Sequence, residues 1–206
     1  MTDHQSLGFG DLGRGNDSPG WQPSTLLLML CFVLPSLAAI VVGPLFVLGT
    51  ARAAAPRTLT AKVERVSDGD TMVALTANGT KLRVRLLGVD APEVPHSTKP
   101  GQPFGEEARD YLDHLVGGKM VRVDAFGPDR YKRVLAVIWD EQINVNLLMV
   151  AMGHAEVYRG APCQAHCREL EQAESKARQN RVGMWVQGDN YESPAAFRKR
   201  MRIRGD

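Results

Sequence analysis

Charge is missing altogether between Asp17 and Arg52, and residues 25–48 inside that gap are overwhelmingly apolar. A stretch of that length can span a bilayer, for which about 20 apolar residues suffice. A strongly basic or acidic balance is also missing. The net charge of +2 is too small to argue for nucleic-acid binding by itself. Cysteine is scarce, with three in 206 residues. Cys31 lies in the apolar segment and behaves there as a small hydrophobe. Cys163 and Cys167 stand four apart and either form a local disulfide in an oxidising compartment or remain two free thiols. His166 lies between them, but no second ligand pair follows at zinc-like spacing, which argues against a zinc site.

The remainder is ordinary in bulk, at 44% hydrophobic and 23% charged residues, as expected of a globular domain with one biased segment. Five regions follow: residues 1–24, rich in Gly, Ser and Asp and expected to be disordered; an apolar segment, 25–50; a linker, 51–57; a single domain, 58–186; and an arm with a basic tail, 187–206. The apolar segment reads as an uncleaved anchor, or as a signal cleaved near Ala51–Ala55. The basic n-region of a signal peptide is reduced to Arg14. Arg52, Arg57 and Lys62 follow the segment, and the positive-inside rule would keep that side cytoplasmic. The tail crowds Arg198, Lys199, Arg200, Arg202 and Arg204, a source of salt-sensitive attraction to a polyanion or simply a solvated end.

Within the domain, Leu82, Val84 and Leu86 alternate with Lys81, Arg83 and Arg85, the period of a half-buried strand. Asp90 ends that run, and Pro92 forces an extended or turned path. The turn thus offers Asp90 and Glu93 beside Arg85, groups suited to a hard cation and a phosphate. Upstream, Asp68-Gly69-Asp70-Thr71 joins two short apolar runs. Asn78-Gly79 supplies a hairpin turn, so a three-strand meander would carry Asp70 and Asp90 to one side of a sheet. Downstream, Asp129-Arg130-Tyr131-Lys132-Arg133 leads into another strand. Strands are expected near Leu59–Val66, Thr71–Leu75, Lys81–Val89, Lys119–Ala125 and Arg133–Trp139. Helices are expected over Glu106–Val116, Val145–Met152 and Gln164–Asn180. Asn144 caps the second of these and Gly153 stops it. Tyr191–Phe197 is expected as an irregular arm. The fold class is α+β: a five-stranded Greek-key barrel of the OB type with about three flanking helices, preceded by a transmembrane or signal-anchor helix.

These motifs, in this order, make the chain from about Leu59 to Trp185 resemble the thermonucleases, the micrococcal nuclease-like enzymes. The resemblance rests on Asp68-Gly69-Asp70-Thr71, on Arg85-Leu86-Leu87 with Val89-Asp90 and Pro92-Glu93, and on Arg130-Tyr131 with Arg133. Val145-Asn146, Gly153-His154-Ala155 and Gly183-Met184-Trp185 are weaker matches. It implies that Arg85 and Arg133 contact the scissile phosphate and that Glu93 is the general base. It further implies that Ca2+ is held by Asp70, Asp90 and the carbonyl of Ala91. Arg130, Tyr131 and Tyr158 are assigned to substrate, the tyrosines by ring stacking or through their hydroxyls. The chain departs from the family at Ala91, where threonine is usual, and at Lys132, where glycine is common. The implied function is a calcium-dependent endonuclease on DNA and RNA, preferring single strands and leaving 3′-phosphate ends. It would be a monomer, membrane-anchored with its nuclease domain outside the cytoplasm, or secreted after cleavage. The alternative is a catalytically silent nucleic-acid- or protein-binding module on the same barrel, anchored to a membrane.

Overall fold

A computed structural model describes residues 55–97 and 99–204. The expected disordered start and the apolar segment 25–50 lie outside the described residues. Among the described residues, no helix is long and apolar enough to cross a membrane.

Five strands account for the barrel: β1 (Arg57–Asp68), β2 (Thr71–Thr76), β3 (Lys81–Leu86), β5 (Met120–Pro128) and β6 (Val134–Asp140). Antiparallel pairing runs β3-β2-β1-β5-β6, and a parallel pairing of β3 with β6 closes the ring. Closure leaves these strands no long unpaired edge. The alternation seen in the sequence decides which side of β3 enters the core: Val84 and Leu86 are buried, while Lys81 and Arg83 are exposed. They join Val63, Met72, Val121, Val123 and Ile138 in one apolar interior.

β3 is shorter than the run Lys81–Val89 suggests. Gly88 takes φ +78°, a left-handed conformation that glycine adopts at little cost. The chain therefore turns, and Val89–Asp90 (β4) pairs with Glu156–Val157 (β7) instead of continuing the barrel. This turn swings Asp90 toward Asp70 and the start of β2, where a straight strand would have carried it away.

The helices α1 (Gly105–Val116), α2 (Val145–Ala151) and α3 (Cys167–Gln179) cover the barrel, with Ala108, Leu112, Met149, Val150 and Leu170 as buried anchors. Asn144 caps α2 by accepting from the Leu147 N–H at 3.0 Å. α3 begins at Cys167, later than the expected Gln164, because the loop before it is tied by a Cys163–Cys167 disulfide. The C-terminal arm differs most from expectation. A 3-10 segment (Gly183–Asn190) leads to a fourth helix, α4 (Pro194–Arg204), in place of an irregular arm and a solvated tail. Pro194 suits a first helical position because its missing N–H has no intrahelical role there.

A buried asparagine ties barrel closure to α2. Asn146 donates to the Leu87 and Ala136 carbonyls, at 2.9 and 3.0 Å, and accepts from the Ile138 N–H at 3.0 Å. Replacing it with leucine leaves the Ile138 donor and the Leu87 carbonyl without this partner in a dry interior. Each such group costs roughly 1–3 kcal/mol. Urea denaturation of Asn146→Leu is expected to show a loss of about 3 kcal/mol or more; a change below about 0.5 kcal/mol would refute the tie.

Candidate active site

Asp70 lies where β1 turns into β2, and Thr71 pairs directly with Arg85 across the sheet. That register aims the Arg85 guanidinium at the start of β2. Its Nη1 donates to Asp70 Oδ1 at 2.6 Å and its Nη2 to Asp90 Oδ1 at 2.8 Å. Both carboxylates are buried, Asp70 at 4% and Asp90 at 1% exposure. Burial works against the Arg85 charge, but Asp70 and Asp90 outweigh it and hold its pKa above the ordinary value. Asp68 borders the same cleft, and burial, with the neighbouring Asp70 charge, pushes its carboxyl up to about 7.

Arg133 enters from the start of β6. Asp129 holds it through Nε at 2.8 Å and Nη2 at 2.7 Å, and also accepts the Arg133 backbone N–H at 2.9 Å. Burial raises the Asp129 pKa, but the backbone and side-chain donors of Arg133 outweigh that and hold it below the usual carboxylate range. Arg133 also reaches the Thr71 hydroxyl at 3.4 Å, which donates to Asp70 Oδ1 at 2.9 Å. A polar chain thus links the two arginines through Thr71 and Asp70.

Glu93 sits on the turn after Pro92, and Gln102 fixes that turn from both sides. The Gln102 side chain accepts the Glu93 N–H at 3.0 Å, and the Gln102 N–H donates to the Glu93 carbonyl at 2.8 Å. Gly105 presses close behind: a Cβ there would stand 2.3 Å from the Glu93 carbonyl oxygen. No spacing in the sequence points to Gln102 or Gly105. Both matter through a backbone approach that only folding creates.

Arg85, Arg133, Glu93, Asp70 and Ala91 line one cleft of about 740 Å³, together with Arg130, Tyr131 and Tyr158. Of the expected catalytic, metal and substrate residues, all but Asp90 line this cleft. Asp90 sits behind Arg85, in contact with it and with a neighbouring groove. Tyr131 is exposed, with the guanidiniums of Arg130 and Arg133 at 4.7 and 5.4 Å from its ring. Arg85 stands 5.8 Å from the Tyr158 ring. These rings are presented to the cleft and are not absorbed into the core.

Lys132, where the resemblance leads one to expect glycine, has φ +61°. A side chain in that conformation costs roughly 1–2 kcal/mol. Lys132→Gly is therefore expected to stabilise the protein by up to about 1 kcal/mol with cleft geometry unchanged; thermal melting should show a raised Tm, and a lowered one would contradict the strain.

One further residue at the site, like Gln102 and Gly105, is not singled out by any spacing in the sequence. Arg198, assigned to a basic tail, reaches into the site from α4. It donates to Asp90 Oδ1 at 3.1 Å and Oδ2 at 2.7 Å, and to Glu93 Oε1 at 2.8 Å.

The donors that Asp70, Asp90 and Ala91 offer a cation are all oxygen. Among the described residues, no group of three or more His, Cys, Asp or Glu side chains is placed to hold a metal. What remains is Asp70 and Asp90, converging on one guanidinium, with the Ala91 N–H donating to Asp70 Oδ2 at 3.2 Å and so placing Ala91 against them. Two carboxylates joined by a carbonyl and waters fit a hard cation such as calcium, which takes oxygen ligands in flexible geometry.

A closed five-stranded barrel with one arginine on a strand, another just before a strand, a buried aspartate and a turn-borne glutamate in one cleft, and a second buried aspartate behind it, defines an OB-type fold with a site fitted to phosphate. Comparison with known proteins makes the family definite. The chain belongs to the staphylococcal nuclease homologues, whose family model matches residues 83–187. It is 35% identical over 144 residues to a protein named an uncharacterized endonuclease in Haemophilus influenzae, covering 70% of this chain and 75% of that one. Endonuclease Htp3 of Saprolegnia parasitica is 34% identical over 164 residues, covering 70% and 77%. A probable endonuclease of Candida dubliniensis is 38% identical over 133 residues, covering 61% and 56%.

Proposed function

We propose that this chain is a calcium-dependent endonuclease that hydrolyses phosphodiester bonds of DNA and RNA, favours single strands, and leaves 3′-phosphate ends. One observation carries the reading: Arg85, Arg133, Glu93 and Asp70, distant in sequence, face a single cleft. The endonuclease names of its relatives agree with it.

Arg85 and Arg133 grip the phosphate oxygens with planar forks and stabilise the charge that grows as water attacks. Neither releases a proton near neutral pH, because arginine stays charged. Glu93 takes the proton from the attacking water. Arg130 adds a cation at the cleft mouth, and the exposed faces of Tyr131 and Tyr158 stack on bases, which a single strand offers freely. Asp70, Asp90 and the Ala91 carbonyl would hold calcium, which would supply polarisation of a phosphoryl oxygen.

The Cys163–Cys167 disulfide supports a location outside the cytoplasm, where such bonds persist. Membrane attachment through residues 25–50, or secretion, and a monomeric state complete the proposal. The test is a calcium-titrated digestion of end-labelled single-stranded DNA. EGTA should stop cleavage, calcium should restore it, and the new ends should carry 3′-phosphate. Full turnover in chelator would remove calcium from the reading; absence of cleavage at any calcium concentration would leave the silent binding module.

A further inference from the structure

α4 begins at Pro194, beyond the residues 83–187 that the family model matches. Its seated side is narrow. Pro194 and Phe197 are buried and Met201 is half-buried, one stripe along the helix. Arg198 and Arg202, four apart and so on a shared face, both line the cleft and the groove beside it. The root of the helix is pinned. The Tyr191 hydroxyl donates to Glu156 at 2.5 Å, and Gln102 Nε2 donates to the Glu192 carbonyl at 3.1 Å. Beyond Phe197 the helix is held through its arginines, Arg198 to Asp90 and Glu93 and Arg200 back to Glu192, while Arg202 and Ile203 are exposed.

Arg198 uses this position to occupy the carboxylates. It bonds both oxygens of Asp90 and one of Glu93. A cation cannot take Asp90 as a ligand while two guanidiniums hold it. Glu93 likewise has its Oε1 taken up by the arginine, at 2.8 Å, where an attacking water would otherwise approach. The same fork that grips a carboxylate also grips a phosphate. A strand lying along both clefts therefore offers Arg198 and Arg202 other partners, and such a ligand favours the displaced state through its differential affinity for it.

We propose that Arg198 is an autoinhibitory occupant of the carboxylate site, carried by α4, and that the phosphates of a nucleic-acid strand flanking the scissile linkage draw Arg198 and Arg202 out of it. This rests on the nuclease reading above. It makes α4 a strap with two states: folded onto Asp90 and Glu93 without substrate, and engaged with strand phosphates when substrate is bound.

The experiment compares the full chain with Arg198→Gln and Arg202→Gln. Calcium binding is read by calorimetry without nucleic acid. Hydrolysis is read on a thymidine dinucleotide and on an oligothymidylate long enough to run along both clefts. Arg198→Gln should bind calcium roughly tenfold more tightly, the scale of one charge-assisted pair removed, and should hydrolyse the dinucleotide faster. Arg202→Gln should keep wild-type calcium affinity but lose much of the long substrate's advantage over the dinucleotide. Unchanged or weaker calcium binding by Arg198→Gln, with a normal melting transition, overturns the proposal. If that variant does not melt cooperatively, Arg198→Lys, which keeps the charge without the fork, carries the same comparison: a smaller gain supports the strap and no gain overturns it. The calcium measurement needs no cleavage. A wild type that hydrolyses neither substrate sinks the nuclease reading, and the calcium comparison still decides the strap.

Discussion

Arg85→Ala is expected to lose at least roughly 10³-fold in kcat on heat-denatured DNA, the scale seen when a guanidinium is removed from a phosphoryl-transfer site or a donor from a developing oxyanion. The structure adds a second consequence. Arg85 bridges two buried carboxylates at 2.6 and 2.8 Å, and breaking such a pair by removing one partner costs about 3–5 kcal/mol. Loss of activity alone would therefore be ambiguous. Calcium resolves it, because a cation bound by Asp70 and Asp90 as proposed would take over part of the lost compensation and stabilise by mass action. Calcium should raise the Tm of Arg85→Ala by more than that of the wild type, while cleavage stays absent. Arg85→Lys keeps the charge but not the fork, so it should recover most of the stability and little of the rate. Undiminished cleavage by Arg85→Ala would sink the assignment of this residue to phosphate.

The part of this site that could be read from the chain is the part built by local rules. A period of two sets the inward side of β3, and the pairing of Thr71 with Arg85 then brings the Asp70 and Arg85 motifs together. Asn144 before an apolar run marks the start of α2, and the structure confirms the cap. Three features escaped for physical reasons. The apolar run through Val89 reads as one strand, because periodicity cannot register that Gly88 breaks it by adopting positive φ. Gln102 acts through two bonds to a backbone nine residues away, and no spacing rule describes such a clamp. Arg198 meets Asp90 across 108 positions. Its helix carries so many arginines that the apolar stripe of Pro194, Phe197 and Met201 is hidden in what reads as a solvated tail.

Glu93 is where these two kinds of knowledge meet, and replacing it with glutamine separates them. The substitution keeps shape and leaves the backbone bonds to Gln102 untouched, so the turn should hold and the Tm should shift little. A lost general base costs roughly 10²–10⁴-fold in rate. The same change also removes the charge that holds one nitrogen of Arg198 at 2.8 Å, which loosens the strap over Asp90. If Glu93 is the base, kcat on the long substrate should fall by that factor even at saturating calcium, while calcium binds as well as or better than in the wild type. If Glu93 serves only to hold Arg198 down, the sign reverses and Glu93→Gln should cleave faster than the wild type at limiting calcium. The two roles predict opposite directions in a single kinetic comparison. The position of the glutamate, on a turn locked from both sides and open to the cleft holding Arg85 and Arg133, favours the fall in rate.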